Sequence, residues 1–150
     1  MKNLVFIYLA IIVIFTACEK EEVTTISTNS TYDFSCNVGG VDFTDNSPTV
    51  VVDPSSNVLT IDALNLGSSI RIIIYNFSDR NVDEEISLNN LTDKAYVTEN
   101  GVDYTNTQSG KIIFTEIDAE LSGTFYFTSS SSSAGGSKSV TEGVFVDLTY

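Results

Sequence analysis

Residues 95–105 read Ala95-Tyr96-Val97-Thr98-Glu99-Asn100-Gly101-Val102-Asp103-Tyr104-Thr105, and this stretch predicts a β-hairpin. Asn-Gly is the strongest hairpin signal in the chain, because both central positions of a two-residue turn need a positive φ that these residues adopt at little cost. The flanking residues are mostly β-branched or aromatic, as strands prefer. We therefore predict an antiparallel pair of strands over residues 95–99 and 102–105.

The same period of two continues through residues 32–150, where no amphipathic helical stretch of useful length is found. Short apolar runs alternate with turn residues such as Gly39-Gly40 and Asp53-Pro54-Ser55-Ser56. The further runs cover residues 32–38, 41–44, 49–52, 57–63, 69–77, 111–117, 121–128 and 143–150. About nine strands with short connections predict an all-β domain, an antiparallel β-sandwich or barrel, and the pattern leaves the choice between the two open.

Four segments carry more specific expectations. Ser69–Phe77 is largely apolar on both faces, which predicts a central strand. Strict alternation through Gly143–Tyr150 would place Val144, Val146, Leu148 and Tyr150 on one face. The polar residues 79–92 predict at most one short edge strand, and the Ser- and Gly-rich residues 129–137 predict a flexible loop.

The first 17 residues have the layout of a signal peptide. A basic start at Met1-Lys2-Asn3 precedes the unbroken apolar run Leu4–Phe15, which small residues follow. As a helix, residues 4–17 would extend about 21 Å against a hydrocarbon core of about 30 Å. The run is too short to span a membrane, so we predict removal of residues 1–17.

The end of this leader, Phe15-Thr16-Ala17-Cys18, resembles a bacterial lipobox. The resemblance implies cleavage between Ala17 and Cys18 and acylation of Cys18, and two or more chains make a stable membrane anchor. The next residues, Glu19-Lys20-Glu21-Glu22, resemble the signal that directs Bacteroidetes lipoproteins to the outer face of the outer membrane. We expect a surface-exposed lipoprotein, with a periplasm-facing orientation as the alternative, and a flexible tether over residues 18–31.

The chain is strongly acidic. Seven Lys and Arg stand against twenty Asp and Glu, for a net charge of −13. Such a surface is repelled by phosphate backbones and by anionic lipid headgroups. The charge therefore argues against nucleic acid as a partner and leaves the lipid on Cys18 as the expected contact with the membrane.

A family resemblance joins the lipobox to several motifs of the β-rich region. These motifs are Gly39-Gly40-Val41-Asp42-Phe43, the run from Ser109 to Ile117, Leu121-Ser122-Gly123-Thr124-Phe125-Tyr126-Phe127 and Thr141-Glu142-Gly143-Val144-Phe145. Together they resemble a family of small Bacteroidetes lipoproteins classed as domains of unknown function. The resemblance implies a β-rich exported domain and carries no activity with it.

The residues needed for common catalytic sites are missing from the sequence. No histidine is present, so the usual nucleophilic triads and zinc sites lack their parts. Cys36 alternates with Phe34 and Val38, which predicts a small buried hydrophobe rather than a nucleophile. We predict no enzyme, no metal and no cofactor. A hydrolase that cuts glycans with the carboxylates of Asp83-Glu84-Glu85 or of Asp118 and Glu120 is the alternative.

Exposed tyrosines are the remaining candidates for ligand contact. Sugar sites usually offer a flat aromatic platform, and tryptophan is absent from the chain. Tyr126 falls opposite the apolar face of its strand, and Tyr96 and Tyr104 flank the Asn-Gly turn. Exposed cross-strand tyrosines also stabilise a sheet, and this structural role is the favoured interpretation. We predict a non-enzymatic binding or structural module, with Tyr126, Tyr104 and Tyr96 as its candidate surface for a glycan or protein ligand.

Overall fold

Residues 32–150, the part of the chain that the computed structural model describes, form eleven β-strands. These are β1 (Phe34–Val38), β2 (Val41–Asp45), β3 (Thr49–Asp53), β4 (Val58–Asn65), β5 (Ser68–Tyr75), β6 (Glu85–Ser87), β7 (Lys94–Glu99), β8 (Val102–Tyr104), β9 (Asn106–Ile117), β10 (Glu120–Ser130) and β11 (Ser137–Thr149). A 3-10 turn spans Phe77–Asp79, and no helix in this range is long and apolar enough to cross a membrane. The predicted signal peptide, the cleavage site between Ala17 and Cys18 and the tether lie outside the described residues.

The strands form two antiparallel sheets that pack face to face as a sandwich. The six-stranded sheet has the order β2-β1-β11-β10-β9-β6, and the five-stranded sheet has the order β3-β4-β5-β7-β8. The all-β prediction is confirmed, and the choice that the sequence left open falls on the sandwich. Eleven strands replace the nine expected, and one of them is β6, the short edge strand predicted within residues 79–92.

The inner faces of both sheets supply one hydrophobic core. The six-stranded sheet contributes phenylalanine rings, among which Phe34 and Phe125 have centroids 5.1 Å apart. The five-stranded sheet contributes fully buried aliphatic residues: Leu59, Ile61, Ile70, Ile72 and Ile74. Burying each such side chain contributes roughly 1.5–3 kcal/mol. Cys36 is also buried in this core, as predicted, and burial raises the pKa of its thiol to about 12.

The predicted face of the last strand is wrong, because β11 contains two irregularities. Glu142 and Asp147 adopt φ values of 54° and 53°, and the pairing of β11 with β10 shifts register near both. An extra residue in a strand reverses the side that the following residues face. Phe145 and Leu148 therefore point inward, while Val144 and Val146 are only half-buried.

The prediction for β5 is right in position and wrong in part for its faces. β5 is the central strand of its sheet, as expected. Its inner face is fully buried, but Arg71 and Tyr75 on the outer face are exposed. Phe77, the last residue of the predicted strand, lies outside β5 and is buried, because the strand ends at Tyr75 and Asn76 turns the chain with a φ of 52°.

The serine-rich connection is shorter than predicted. Ser129 and Ser130 belong to β10, and Ser137 begins β11, so the loop covers residues 131–136. Ser129 is fully buried and pairs across the strands with Thr107, whose hydroxyl bonds to both backbone groups of Ala95 in the other sheet. The first part of this segment thus belongs to β10 instead of forming a loop.

Candidate ligand site

A cleft of about 480 Å³ lies on the outer face of the five-stranded sheet. We call it the Tyr96 cleft. Its walls come from strands β3, β4, β5, β7 and β8 and from the residue after β8: Thr49, Asp62, Leu64, Ser69, Arg71, Tyr96, Thr98, Asp103 and Thr105. A cavity of this size is within the usual range for sites that bind small molecules.

The register of the sheet explains why these side chains meet. Residues directly opposite each other on antiparallel strands point to the same face. One row across the sheet pairs Thr49 with Asp62, Asp62 with Arg71, and Arg71 with Tyr96. Residues at every second position of these strands therefore meet in rows across the floor of the cleft.

Arg71 and Asp62 form the central polar pair of the cleft. The Arg71 Nε donates to Asp62 Oδ1 at 2.6 Å, and its Nη2 donates to Oδ2 at 3.0 Å. The hydrogen bond to Asp62, and then its charge, raise the pKa of Arg71. A guanidinium has five N–H donors, so the geometry of this two-pronged pair leaves three donors for other partners. The Arg71 side chain is 55% exposed, so these donors are accessible to a ligand.

Two further features shape the cleft. Tyr96 lies opposite Arg71 on the next strand and is half-buried. The Thr98 hydroxyl donates to Asp103 Oδ1 at 2.8 Å, which orients that carboxylate along the rim. Two carboxylates against one guanidinium make the cleft unsuited to an anionic ligand.

The three predicted tyrosines do not share one surface. Tyr126 is 50% exposed on the outer face of the other sheet. It borders a separate concavity of about 490 Å³ whose lining includes Lys111, Ile113, Glu142 and Val144. Tyr104 pairs with Val97 on the inner side of its sheet and packs, partly buried, against the core. Tyr96 alone of the three lies in a cleft with a paired acid and base.

Two of the clustered carboxylates in the hydrolase alternative form ion pairs with different cations. Glu84 forms an ion pair with Arg80 at 3.5 Å, and Glu85 forms one with Lys111. Asp118 is exposed in the turn between β9 and β10, and Glu120 begins β10. Within residues 32–150, no group of three or more potential metal ligands is placed to hold an ion.

Sequence reasoning missed Arg71 and Asp62. The signal was present in Leu66-Gly67, the turn that joins β4 to β5, where both residues adopt positive φ values of 41° and 85°. A two-residue turn at that point places Asp62 opposite Arg71. Recognition of this hairpin would have found the pair beside Tyr96.

The comparisons with known proteins identify the chain through its β-domain. No curated protein and no solved structure matches it. One family model matches residues 30–149, which cover the whole sandwich described above. The chain therefore belongs to the family described as Domain of unknown function (DUF6252).

Proposed function

We propose that this protein is a lipid-anchored, non-enzymatic binding module of the outer membrane that holds a neutral glycan in the Tyr96 cleft. The observation that carries the proposal is the two-pronged Asp62–Arg71 pair beside the ring of Tyr96. Sugar hydroxyls both donate and accept hydrogen bonds, so a carboxylate and a guanidinium side by side match a pair of neighbouring hydroxyls. The ring face of Tyr96 supplies the apolar surface against which the C–H groups of a sugar pack.

The charge of the domain favours a neutral ligand. Residues 32–150 hold five Lys and Arg against seventeen Asp and Glu, for a net charge of −12. Four of these five cations are in ion pairs: Arg71, Arg80, Lys111 and Lys138. The fifth, Lys94, lies 5.8 Å from the ring centre of Tyr75. Because its cations are engaged, this surface repels polyanions such as nucleic acids or sulfated polysaccharides.

The proposed anchor is the acylated Cys18. Between it and the first described residue, Tyr32, lie thirteen residues rich in Ser, Thr and acids. A chain of that length reaches at most about 43 Å when fully extended. Such a tether would hold the cleft clear of the headgroups on the outer face of the membrane, where extracellular glycans are found.

The non-enzymatic part of the proposal is supported by the carboxylates. A glycosidase needs two carboxyl groups on either side of the scissile bond, roughly 5–9.5 Å apart. In the Tyr96 cleft, Asp62 is bound to Arg71, and Asp103 accepts a hydrogen bond from Thr98. Both carboxylates are thus held as hydrogen-bond acceptors, a role that fits recognition of hydroxyl groups.

A glycan array probed with the mature lipoprotein in detergent tests this function. We expect binding to neutral oligosaccharides, with affinity at least tenfold weaker in Tyr96→Ala, which corresponds to about 1.4 kcal/mol. Tyr126→Ala is the matched control, because it removes an exposed tyrosine from the outer face of the other sheet and should leave binding unchanged. Equal loss in both variants would contradict the assignment of the site. Release of reducing ends that stops when Asp62 or Asp103 is replaced would establish a hydrolase instead.

A further inference from the structure

The four sheet edges of the described domain differ in how well they are protected. β6 and β8 are three residues long, and short edge strands offer little template for another chain. β2 has five residues and carries Asp42 and Thr44 on its outward face. β3 has five residues, Thr49-Val50-Val51-Val52-Asp53, and three of them are consecutive valines.

Within Thr49–Asp53, the β3 edge lacks several of the usual devices against pairing. It pairs with β4 over its full length without a register shift, so no bulge bends it away from a neighbour. No lysine and no proline lie within it, and Val51 at its centre is 54% exposed. Its other side has no neighbouring strand within residues 32–150. A regular edge strand with an exposed apolar residue at its centre can accept another strand.

We propose that β3 pairs antiparallel with β3 of a second copy of this chain. Pro48 and Pro54 flank the strand and lack the backbone N–H that a ladder needs, which limits the pairing to Thr49–Asp53. The symmetric register places Val51 opposite the partner's Val51. It also places Asp53 opposite the partner's Thr49, so no like charges face each other along the ladder. This self-complementarity favours a second copy over an unrelated strand.

Such pairing would join two Tyr96 clefts on one surface. Thr49 of β3 lines the cleft, so the cleft borders the proposed interface. The twofold axis between adjacent antiparallel strands is perpendicular to the sheet, and both clefts would therefore open on the same side of a ten-stranded sheet. Two sites that face one way bind a polysaccharide more tightly than either site alone, because the second contact forms within the same complex.

The membrane anchor permits this arrangement. The twofold axis directs the chains that lead into β1 of the two copies in opposite directions along the strands. A tether of thirteen residues, with its reach of about 43 Å, lets both lipid groups enter one bilayer. The net charge of −12 on each domain opposes association at low salt, so the dimer should strengthen as salt rises.

Disulfide trapping at Val51 tests the register. Opposite residues on antiparallel strands have Cα atoms about 4.5–5.5 Å apart, within the range that a disulfide bridges. In the mature lipoprotein in membranes, Val51→Cys should give a covalent dimer on mild oxidation. Leu66→Cys is the control, because Leu66 is fully exposed at the turn between β4 and β5 and away from β3. A monomeric Val51→Cys protein, equal cross-linking of both variants, or a product of Val51→Cys with a different protein would each overturn the proposal.

A second pair of variants tests the same interface without new cysteines. Val51→Lys places two charges opposite each other on the axis and should weaken dimerisation at least tenfold, while Val51→Thr should keep it. Sedimentation of the mature lipoprotein in detergent measures the dimer at low and high salt, and a thermal melt confirms that each variant is folded. Dimerisation unchanged in folded Val51→Lys protein, or a monomeric wild type at high salt, would contradict the proposal. The readout does not depend on glycan, so it stands apart from a failure of the Tyr96 cleft to bind.

Discussion

Replacing Gly123 with alanine is expected to lower the free energy of unfolding by about 3 kcal/mol. A Cβ at this position would lie 2.4 Å from the carbonyl oxygen of Ile113 and 2.5 Å from Cζ of Phe145. The oxygen belongs to the neighbouring strand, so it cannot rotate away, and the Phe145 ring is fully buried. Overpacking of a core usually costs 1–3 kcal/mol, and a clash with backbone places this substitution at the upper end.

Chemical denaturation and a thermal melt of the mature protein measure the effect of Gly123→Ala. A loss of about 3 kcal/mol in a domain of this size lowers the midpoint of melting by about 12 °C. Gly135→Ala is the control, because a Cβ at this position would meet no atom within 4 Å. The only strain would come from an alanine held at a φ of 69°. That strain costs about 1 kcal/mol. If Gly123→Ala were no more destabilising than Gly135→Ala, the close approach of β10 to its neighbours would not have the role assigned to it.

Three further predictions concern a buried ion pair, the buried thiol and the proposed anchor. Asp93→Ala should lower the free energy of unfolding by about 3 kcal/mol, because Asp93 is buried and pairs with Arg80 at 2.8 Å. Glu85→Ala, which removes an exposed ion pair, should lower it by less than about 1 kcal/mol in the same denaturation assay. Burial raises the pKa of Cys36 in the folded protein to about 12, from an ordinary value of 9.0. The stability that this burial contributes is therefore complete below about pH 9 and falls by about 1.4 kcal/mol per pH unit towards pH 12. Melts compared across that pH range should show that this fall disappears in Cys36→Ala. Cys18→Ser should abolish labelling by radioactive fatty acid and release the protein from membranes, and labelled, membrane-bound Cys18→Ser protein would contradict the anchor.

The fold could be predicted from local patterns because several turns contain residues, such as Asn-Gly and Gly-Gly, that are typical of turns. Asn100-Gly101 and Gly39-Gly40 each join two strands where the sequence places them, and each glycine adopts a positive φ. Alternation along β10 also predicts its faces correctly, since Phe125 and Phe127 are buried and Tyr126 is exposed. These features depend on neighbours in sequence, so the sequence alone determines them.

The errors arise where partner strands decide. Glu142 and Asp147 carry no mark of a bulge, and their positive φ values follow from the way β11 pairs with β10. The Asp62–Arg71 pair also depends on the register between β4 and β5. That register cannot be predicted unless the turn at Leu66 is recognised. Alternation alone does not tell the inner face of an edge strand from its outer face. It therefore does not separate Tyr104, which packs against the core, from the tyrosines on the outer faces.

Backbone amide chemical shifts measured by NMR with and without a glycan test most directly whether the Tyr96 cleft binds it. The experiment uses the isotope-labelled protein in detergent and the neutral oligosaccharide with the strongest array signal. We expect the largest shift changes on the amides of Arg71, Tyr96 and Thr98, with the amides around Tyr126 unchanged. Shift changes confined to the concavity around Tyr126, or spread over both sheets without a centre, would contradict this expectation.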